Sequence, residues 1–246
     1  MEPDLVSFVV PAHNEEESLP LLIEEIREAA RTLERPYEIV VVDDGSTDTT
    51  GAWLKSQAER SRDLVVLFTA RNRGQSAAMA AGLLASGGGV IVTLDADLQN
   101  DPADAPRLVE ALADCDLACG VRRKRRDNAA KRLGSRFANA LRRWWLHDEF
   151  RDVGCTLKAW KRPVAERIPK FVGFHRYIPI LAKAEGFKVR EIEVSHRPRE
   201  HGETHYGNLG RAWKGLFDLF GVRWLLRRRV EPGYDRLDLR EAGDWH

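Results

Sequence analysis

The chain has 246 residues, of which 39 are Lys or Arg and 38 are Asp or Glu, so its formal net charge is +1. This length is enough for one full hydrophobic core, and no uncharged apolar run is long enough to predict a membrane-spanning helix. The acidic start argues against a signal peptide. Cys115, Cys119 and Cys155 lack the spacing of a zinc site, so we expect reduced thiols in a cytosolic protein.

Charge is unevenly distributed along the chain. Residues 1–28 contain eight acidic residues and one basic residue, whereas residues 122–143 contain ten basic residues and one acidic residue. The basic block is either a solvated helix face or a surface for phosphate, nucleic acid or an anionic membrane. Because no nucleic-acid recognition motif accompanies it, we favour phosphate or membrane and expect no nucleic-acid partner.

The first hundred residues alternate short apolar runs with amphipathic segments. The pattern predicts strands at 5–10, 38–42, 64–68 and 90–94, and helices at 18–33, 47–60 and 75–85. This alternation favours a mostly parallel sheet with helices on both faces. Neither a Gly-x-Gly-x-x-Gly turn after the first strand nor a P-loop lysine motif is present, which argues against dinucleotide oxidoreductases and P-loop NTPases.

The second half becomes more basic and aromatic. The pattern predicts a capped helix start at Asp101 and Pro102, helices at 105–113 and 131–146, a strand at 117–120, a loop entering a strand at 151–160, and a strand at 188–194. Residues 196–207 form a polar loop that could close over a ligand. Residues 209–229 mix aromatic and basic residues, which suits a membrane interface or a core-packed helix with a charged outer face; we favour the interface.

Polar residues follow three predicted strands at their carboxyl ends. They are Asn14 and Glu15, Asp43 and Asp44, and Asp95 and Asp97. Ligands of parallel α/β sheets bind beyond the carboxyl ends of the strands, so we expect these residues to converge. Asp43 or Asp44 can accept hydrogen bonds from a nucleobase or ribose. Arg71 and Arg73 precede a predicted helix whose N-terminus favours phosphate.

Residues 94–99, Leu-Asp-Ala-Asp-Leu-Gln, end a buried strand with two neighbouring carboxylates. Their repulsion is relieved by protonation of one of them or by a shared cation. A hard divalent ion prefers oxygen ligands, which Asp97 and the side-chain carbonyl of Gln99 offer. We therefore predict a site for a metal-bound diphosphate; the alternative is a polar connection between a strand and a helix.

Six segments together resemble the family 2 glycosyltransferases, specifically polyprenyl-phosphate glycosyltransferases similar to dolichol-phosphate mannosyltransferase. The segments are residues 9–16, 42–48, 70–75, 94–99, 152–158 and 199–207. The resemblance implies an α/β, Rossmann-like GT-A fold with a mostly parallel mixed sheet flanked by helices, followed by a C-terminal amphipathic helical segment. We accordingly predict a catalytic domain at 1–208, a membrane-interface helix at 209–229 and a polar tail at 230–246.

The resemblance also implies site residues. The nucleoside of a nucleotide-sugar would contact Pro11, Ala12, Asn14, Glu15, Asp43 and Asp44. Asp95, Asp97 and Gln99 would organise Mg²⁺ or Mn²⁺ and the diphosphate, with Arg73 and Arg199 as cationic contacts of the donor. The acceptor phosphate would contact Arg122, Lys131, Arg132 and Ser135, and Asp97 and Asp152 would be catalytic.

Two positions depart from the family pattern. Lys131 replaces a common arginine and so lacks a bidentate fork, although Arg132 could substitute for it. His205 replaces a common lysine, which leaves Arg199 as the better pyrophosphate contact of that loop. Many relatives also carry transmembrane helices after the amphipathic segment. We therefore expect peripheral attachment to the cytoplasmic membrane face, or attachment through a membrane-protein partner.

The implied activity is inverting, metal-dependent transfer of a sugar from a UDP- or GDP-sugar to a polyprenyl phosphate. A lipid phosphate is already ionised, so Asp152 would position the acceptor or sugar. With a sugar or protein hydroxyl as acceptor, Asp152 would be the candidate base. A membrane-peripheral scaffold with a degenerate site is a third alternative, which the three acidic strand ends disfavour. The sequence leaves the choice of uracil or guanine open.

Overall fold

The computed structural model describes residues 2–122, 139–198 and 208–228. The strands are β1 Glu2–Ala12, β2 Tyr37–Asp43, β3 Leu64–Phe68, β4 Gly88–Thr93, β5 Leu117–Arg122, β6 Lys158–Lys161 and β7 Val189–Val194. The helices are α1 Leu19–Arg31, α2 Thr50–Ala58, α3 Gln75–Ala85, α4 Ala105–Ala111, α5 with the described part 139–146, α6 Arg162–Arg167, α7 Ile178–Ala184 and α8 Asn208–Arg227. Short 3-10 helices cover Pro102–Asp104 and Phe174–Arg176.

The strands form one seven-stranded sheet in the order β3-β2-β1-β4-β6-β5-β7. Strands β3, β2, β1 and β4 pair in parallel, and so do β5 and β7. Strand β6 lies antiparallel to both β4 and β5. The predicted mostly parallel, mixed sheet flanked by helices is therefore confirmed.

The core lies on both faces of the central strands. β1 is fully buried from Val6 to Val10, and all of these residues except Ser7 are apolar. This is expected of a strand that is covered by helices on both sides. Helix α1 buries Leu22 and Ile26 against one face of the sheet, and α3 packs on the other. The packing of α3 is close at Gly82, where a Cβ would collide with Val9.

Several predicted boundaries hold and others shift. β3 and α3 have the predicted bounds, and Asp101 accepts a hydrogen bond from the Ala103 amide as the predicted cap. Helix α2 begins at Thr50 instead of residue 47, because the amides of Thr47 and Thr49 donate to the side chains of Asn14 and Glu16 in the loop after β1. Helices α6 and α7 were not predicted. The three cysteines are free, as expected.

Within the described parts of the chain, no helix is both long and apolar enough to cross a membrane. Helix α8 matches the predicted amphipathic segment closely in its bounds. Its residues Leu219 and Val222 are buried and pack in the same hydrophobic cluster as Trp160 of β6. The predicted tail at 230–246 lies outside the described residues.

Candidate active site

The sheet brings the predicted polar loops to one edge. Ala12, the last residue of β1, pairs with Asp43 of β2, and Val9 pairs with Thr93 of β4. The chain segments after these three strands therefore meet beyond their carboxyl ends. Because β6 runs in the opposite direction, its first residue, Lys158, lies at the same edge, beside Thr93.

A cavity of about 270 Å³ opens at this edge. Its lining residues are Pro11, Ala12, His13, Glu15, Asp44, Asn72, Gly74, Gln75, Ala78, Asp95, Ala96 and Asp97. Six predicted donor or metal residues are thus brought together: Pro11, Ala12, Glu15, Asp44, Asp95 and Asp97. His13, Asn72 and Gln75 were not predicted as site residues, although each lies in or beside a segment on which the family resemblance was based.

Asp95 lines the cavity and is held by hydrogen bonds. The Gln75 side-chain amide donates to its Oδ1 atom at 2.6 Å. Burial, and next the negative charge of Asp97, raise the pKa of Asp95 from 3.8 to about 6, against the opposing effects of hydrogen bonds from Thr156 and Gln75 and of the charge of Lys158. The two carboxylates therefore repel one another in a partly desolvated site.

Asp97 is positioned by a tight turn. Its Oδ1 atom accepts a hydrogen bond from the Gln99 amide at 3.2 Å, and Leu98 between them has a left-handed backbone (φ 58°). The Gln99 side chain does not line the cavity. The backbone carbonyl oxygen of Gln99 accepts a hydrogen bond from the Arg197 amide.

The oxygen ligands that the cavity offers fit a divalent cation in part. Asp95 and Asp97 both line the cavity, and their carboxylate oxygens are ligands that Mg²⁺ and Mn²⁺ accept, whereas the predicted Gln99 side chain is absent from the lining. Among the residues that the structure describes, no three His, Cys, Asp or Glu side chains are grouped to hold a metal without help. A cation at Asp95 and Asp97 would therefore take its remaining ligands from phosphate oxygens and water.

Asp44 organises the wall of the cavity. It is 3% exposed and accepts hydrogen bonds from the Arg73 amide (2.9 Å), the Gly74 amide (2.7 Å) and the Thr69 hydroxyl (3.1 Å). These donors hold the loop before α3. Asp43 is also buried, accepts from the Ser46 amide, and does not line the cavity.

The loops after β1 and β2 are fastened to each other. The Asn14 side chain accepts from the Thr47 amide at 2.8 Å, and the Asn14 amide donates to Ser46. The Glu15 amide donates to Thr50 at the start of α2. Asn14 does not line the cavity, so its observed contacts build the loop. The Arg73 side chain is likewise absent from the lining, although its amide holds Asp44.

Arg122, the last residue of β5, forms a bidentate ion pair with Asp152, which lies in the loop before β6. Arg122 Nε lies 2.7 Å from Oδ2 of Asp152, and Nη2 lies 2.8 Å from Oδ1. Both side chains are only about one-tenth exposed. A predicted phosphate contact and a predicted catalytic acid thus bind each other. Lys131, Arg132, Ser135 and Arg199, the other predicted contacts, lie outside the described residues.

The chain was compared with protein families and with known proteins. The profile of glycosyl transferase family 2 matches residues 7–178. Undecaprenyl-phosphate 4-deoxy-4-formamido-L-arabinose transferase of Pseudomonas paraeruginosa is 42% identical over 218 residues, which are 88% of this chain and 64% of that protein. The protein of the same name from Pectobacterium atrosepticum is 39% identical and shares 83% of this chain and 63% of its own length. The chain thus spans just under two-thirds of these relatives.

Among solved structures, glucosyl-3-phosphoglycerate synthase from Mycobacterium tuberculosis with Mn²⁺ and UDP-glucose has a TM-score of 0.67 at 20% identity, covering 89% of this chain and 79% of that one. The same enzyme with phosphoglyceric acid gives a TM-score of 0.66 at 19% identity, with 94% and 82% coverage. At this identity the likeness establishes the fold, and the predicted GT-A fold is confirmed. The chain belongs to glycosyl transferase family 2.

Proposed function

We propose that this chain is a glycosyltransferase that moves a sugar from a nucleoside-diphosphate sugar to a polyprenyl phosphate. The observation that carries the proposal is the cavity, where Asp44 after β2 and Asp95 and Asp97 after β4 meet Pro11, Ala12 and Glu15 at the end of β1. Relatives named as undecaprenyl-phosphate sugar transferases support this acceptor class. A fold shared with an enzyme solved with UDP-glucose and Mn²⁺ favours UDP and a divalent metal.

The cavity is assigned to the donor. The apolar lining residues Pro11 and Ala12 suit the nucleoside, and the carboxylates of Asp95 and Asp97 suit a cation with the diphosphate. A bound Mg²⁺ or Mn²⁺ would supply positive charge to the departing diphosphate. The reaction forms a bond between an acceptor oxygen and the anomeric carbon and breaks the bond to the nucleoside diphosphate. Attack from the opposite face inverts that carbon.

The Arg122–Asp152 pair favours a phosphate acceptor over a hydroxyl acceptor. A carboxylate that is bound through both oxygens by a guanidinium is a weaker base, and both oxygens of Asp152 accept from Arg122. A phosphate acceptor is already ionised and needs no base. In this arrangement Asp152 is a positioning residue that orients the guanidinium of Arg122.

Helix α8 carries an exposed aromatic face that supports attachment to a membrane surface. Phe217, Phe220 and Trp224, spaced three and four residues apart, are 76%, 53% and 62% exposed. Trp144 of α5 is 67% exposed, and its neighbour Trp145 packs edge-on against Phe220. The sequence alternative of a charged outer face fits less well, because this outer face is aromatic. A membrane-protein partner stays a prediction.

Mass spectrometry of the lipid phase tests the proposed activity. The protein is incubated with Mn²⁺, a short polyprenyl phosphate and pooled UDP- and GDP-sugars, and a new glycosyl-phospholipid is expected. Asp97→Ala should abolish the product. Asp114→Ala is the matched control, because Asp114 is 74% exposed on the turn before β5 and does not line the cavity. Nucleotide release with unchanged lipid would indicate a hydroxyl acceptor. The absence of both nucleotide release and a new lipid would refute the proposed function.

Vesicle flotation tests the membrane proposal. Full-length protein should float with vesicles that contain anionic lipid, and replacing Phe217, Phe220 and Trp224 by Ser should reduce the bound fraction. Burial of each ring contributes on the order of 1–2 kcal/mol, so the combined loss should be large. Leu84→Ser is the control, because Leu84 is 80% exposed but lies on α3. Unchanged flotation of the triple variant would refute this assignment.

A further inference from the structure

Ser76, in the first turn of α3, forms a bridge to a distant turn of the chain. Its hydroxyl oxygen accepts a hydrogen bond from the Gly173 amide at 2.8 Å and lies 2.9 Å from Nδ1 of His175. Because the Gly173 amide can only donate, the hydroxyl proton is available to His175. We assign the Ser76 O–H as the donor and unprotonated Nδ1 as the acceptor, which places the proton of the neutral ring on Nε2; in the other tautomer Nδ1–H would donate to the Ser76 oxygen.

His175 is suited to this role because it remains neutral. Burial, together with the positive charges of Arg176 and Lys158, lowers the pKa of His175 to about 3. Its own backbone is also fixed. Phe174 is completely buried, and Arg176 lies 3.8 Å from Asp218 of α8. The turn at 173–176 is thus a firm support for the hydroxyl of Ser76.

The first turn of α3 needs such a support. Its N-cap residue, Gly74, has a positive φ of 89° and offers no side chain to cap the helix. The adjacent residue, Gln75, is the one whose side-chain amide donates to Asp95 at 2.6 Å. Gln75 and Ser76 are consecutive, so any shift of this turn moves the Gln75 amide away from the Asp95 carboxylate.

We propose that His175 is a positioning residue of the donor site, which acts through Ser76 and Gln75 on the orientation of Asp95. The proposal rests on the proposed function of the cavity as a nucleoside-diphosphate and cation site. His175 does not line the cavity itself, so its effect is indirect. Partners that orient a metal-binding carboxylate typically contribute about 10- to 100-fold to metal affinity.

The test compares two replacements of His175. Leu cannot accept the Ser76 hydroxyl, whereas the Oδ1 atom of Asn occupies the same position along the side chain as Nδ1 and can accept it. His175→Leu should weaken binding of Mn²⁺ with UDP or GDP by about 10-fold, measured by calorimetry and by the electron paramagnetic resonance of free Mn²⁺. His175→Asn should remain within about threefold of the wild type. Ser76→Ala should behave like His175→Leu.

A second measurement separates positioning from general stability. Hydrogen–deuterium exchange of amides 75–79 should accelerate in His175→Leu and in Ser76→Ala, and should be restored in His175→Asn. The matched control is Ser86→Ala at the other end of α3, since Ser86 is buried and hydrogen-bonded but far from Asp95 in the helix. This control should lower the melting temperature without weakening Mn²⁺–nucleotide binding.

Unchanged exchange at 75–79 in His175→Leu would overturn the positioning role. An equal loss of Mn²⁺–nucleotide affinity in His175→Leu and in Ser86→Ala would also overturn the positioning role. Failure of the wild-type protein to bind either nucleotide with Mn²⁺ would instead refute the proposed donor site. The exchange measurement still decides in that case whether His175 fixes the first turn of α3.

Discussion

Replacing Asp44 by Asn distinguishes a residue that builds the site from one that only binds a ligand. The carboxylate is buried and accepts three hydrogen bonds, two of them from the amides of Arg73 and Gly74. In the variant one carboxylate oxygen becomes an NH₂ group. If the remaining oxygen keeps Thr69 and Arg73, the NH₂ group faces the Gly74 amide, and two donors meet without an acceptor.

The magnitude follows from these contacts. A hydrogen bond to a charged group contributes about 1.5–3 kcal/mol, and an unsatisfied buried amide costs about 1–3 kcal/mol. The neutral Asn is easier to bury than the carboxylate, which offsets part of this loss. We therefore expect Asp44→Asn to lower the free energy of unfolding of the ligand-free protein by about 2–4 kcal/mol.

Urea unfolding of the ligand-free protein measures this loss, and nucleotide binding measures the effect on the site. Asp43→Asn is the control, because the one described donor to that side chain is the Ser46 amide, so its loss should be smaller. If Asp44 served only as a nucleotide ligand, its replacement would weaken binding and leave the stability of the ligand-free protein unchanged or higher. That result would refute the assignment of Asp44 to the cavity wall.

Three further substitutions test other parts of the structure. Arg162→Leu removes a buried guanidinium that donates to backbone carbonyls where α3 ends and β4 begins, and urea unfolding should show a loss of about 2–4 kcal/mol. Gly45→Ala places a Cβ 2.6 Å from the Arg71 backbone at a φ of 67°; it should cost about 1–3 kcal/mol and weaken nucleotide binding in calorimetry. Asp95→Asn should stabilise the metal-free protein at pH 7 but abolish its Mn²⁺ binding. Because the pKa of Asp95 is raised from 3.8 to about 6 in the folded protein, the stability of the wild type should fall relative to the variant as the pH rises from about 4 to about 6. A constant difference in unfolding free energy across this pH range would contradict the prediction.

The fold was predictable where the apolar pattern of an element and the residues that border it indicate the same bounds. β3 and α3 have the predicted bounds because an apolar run and a small-residue helix are each bordered by polar or glycine residues. Helices α6 and α7 were missed because they have only six and seven residues and carry Pro163 and Pro179 in their first turns. Proline in the middle of an apolar segment indicates a break, yet it is also favoured at the first position of a helix.

The candidate site was predictable in its location and less so in its contacts. The sequence shows that Asp44, Asp95 and Asp97 end strands, and the parallel topology then brings them together. It does not show that Asp44 accepts from amides 29 and 30 residues further along, or that Asp152 pairs with Arg122. Ser76 and His175 are 99 residues apart, and no local pattern links them.

The direction of β6 has a consequence for how this architecture can diversify. The cavity wall formed by β1, β2 and β4 consists of strand endings whose positions are fixed by parallel pairing. On the β6 side of β4, the segment at the same edge of the sheet is the connection that precedes Lys158. Lys158 is the first residue of β6, which runs antiparallel to β4. Insertions or replacements in that connection leave the register of the parallel strands unchanged. With the cavity assigned to the donor as we propose, a protein with this sheet can acquire a new acceptor while it keeps the same sugar donor.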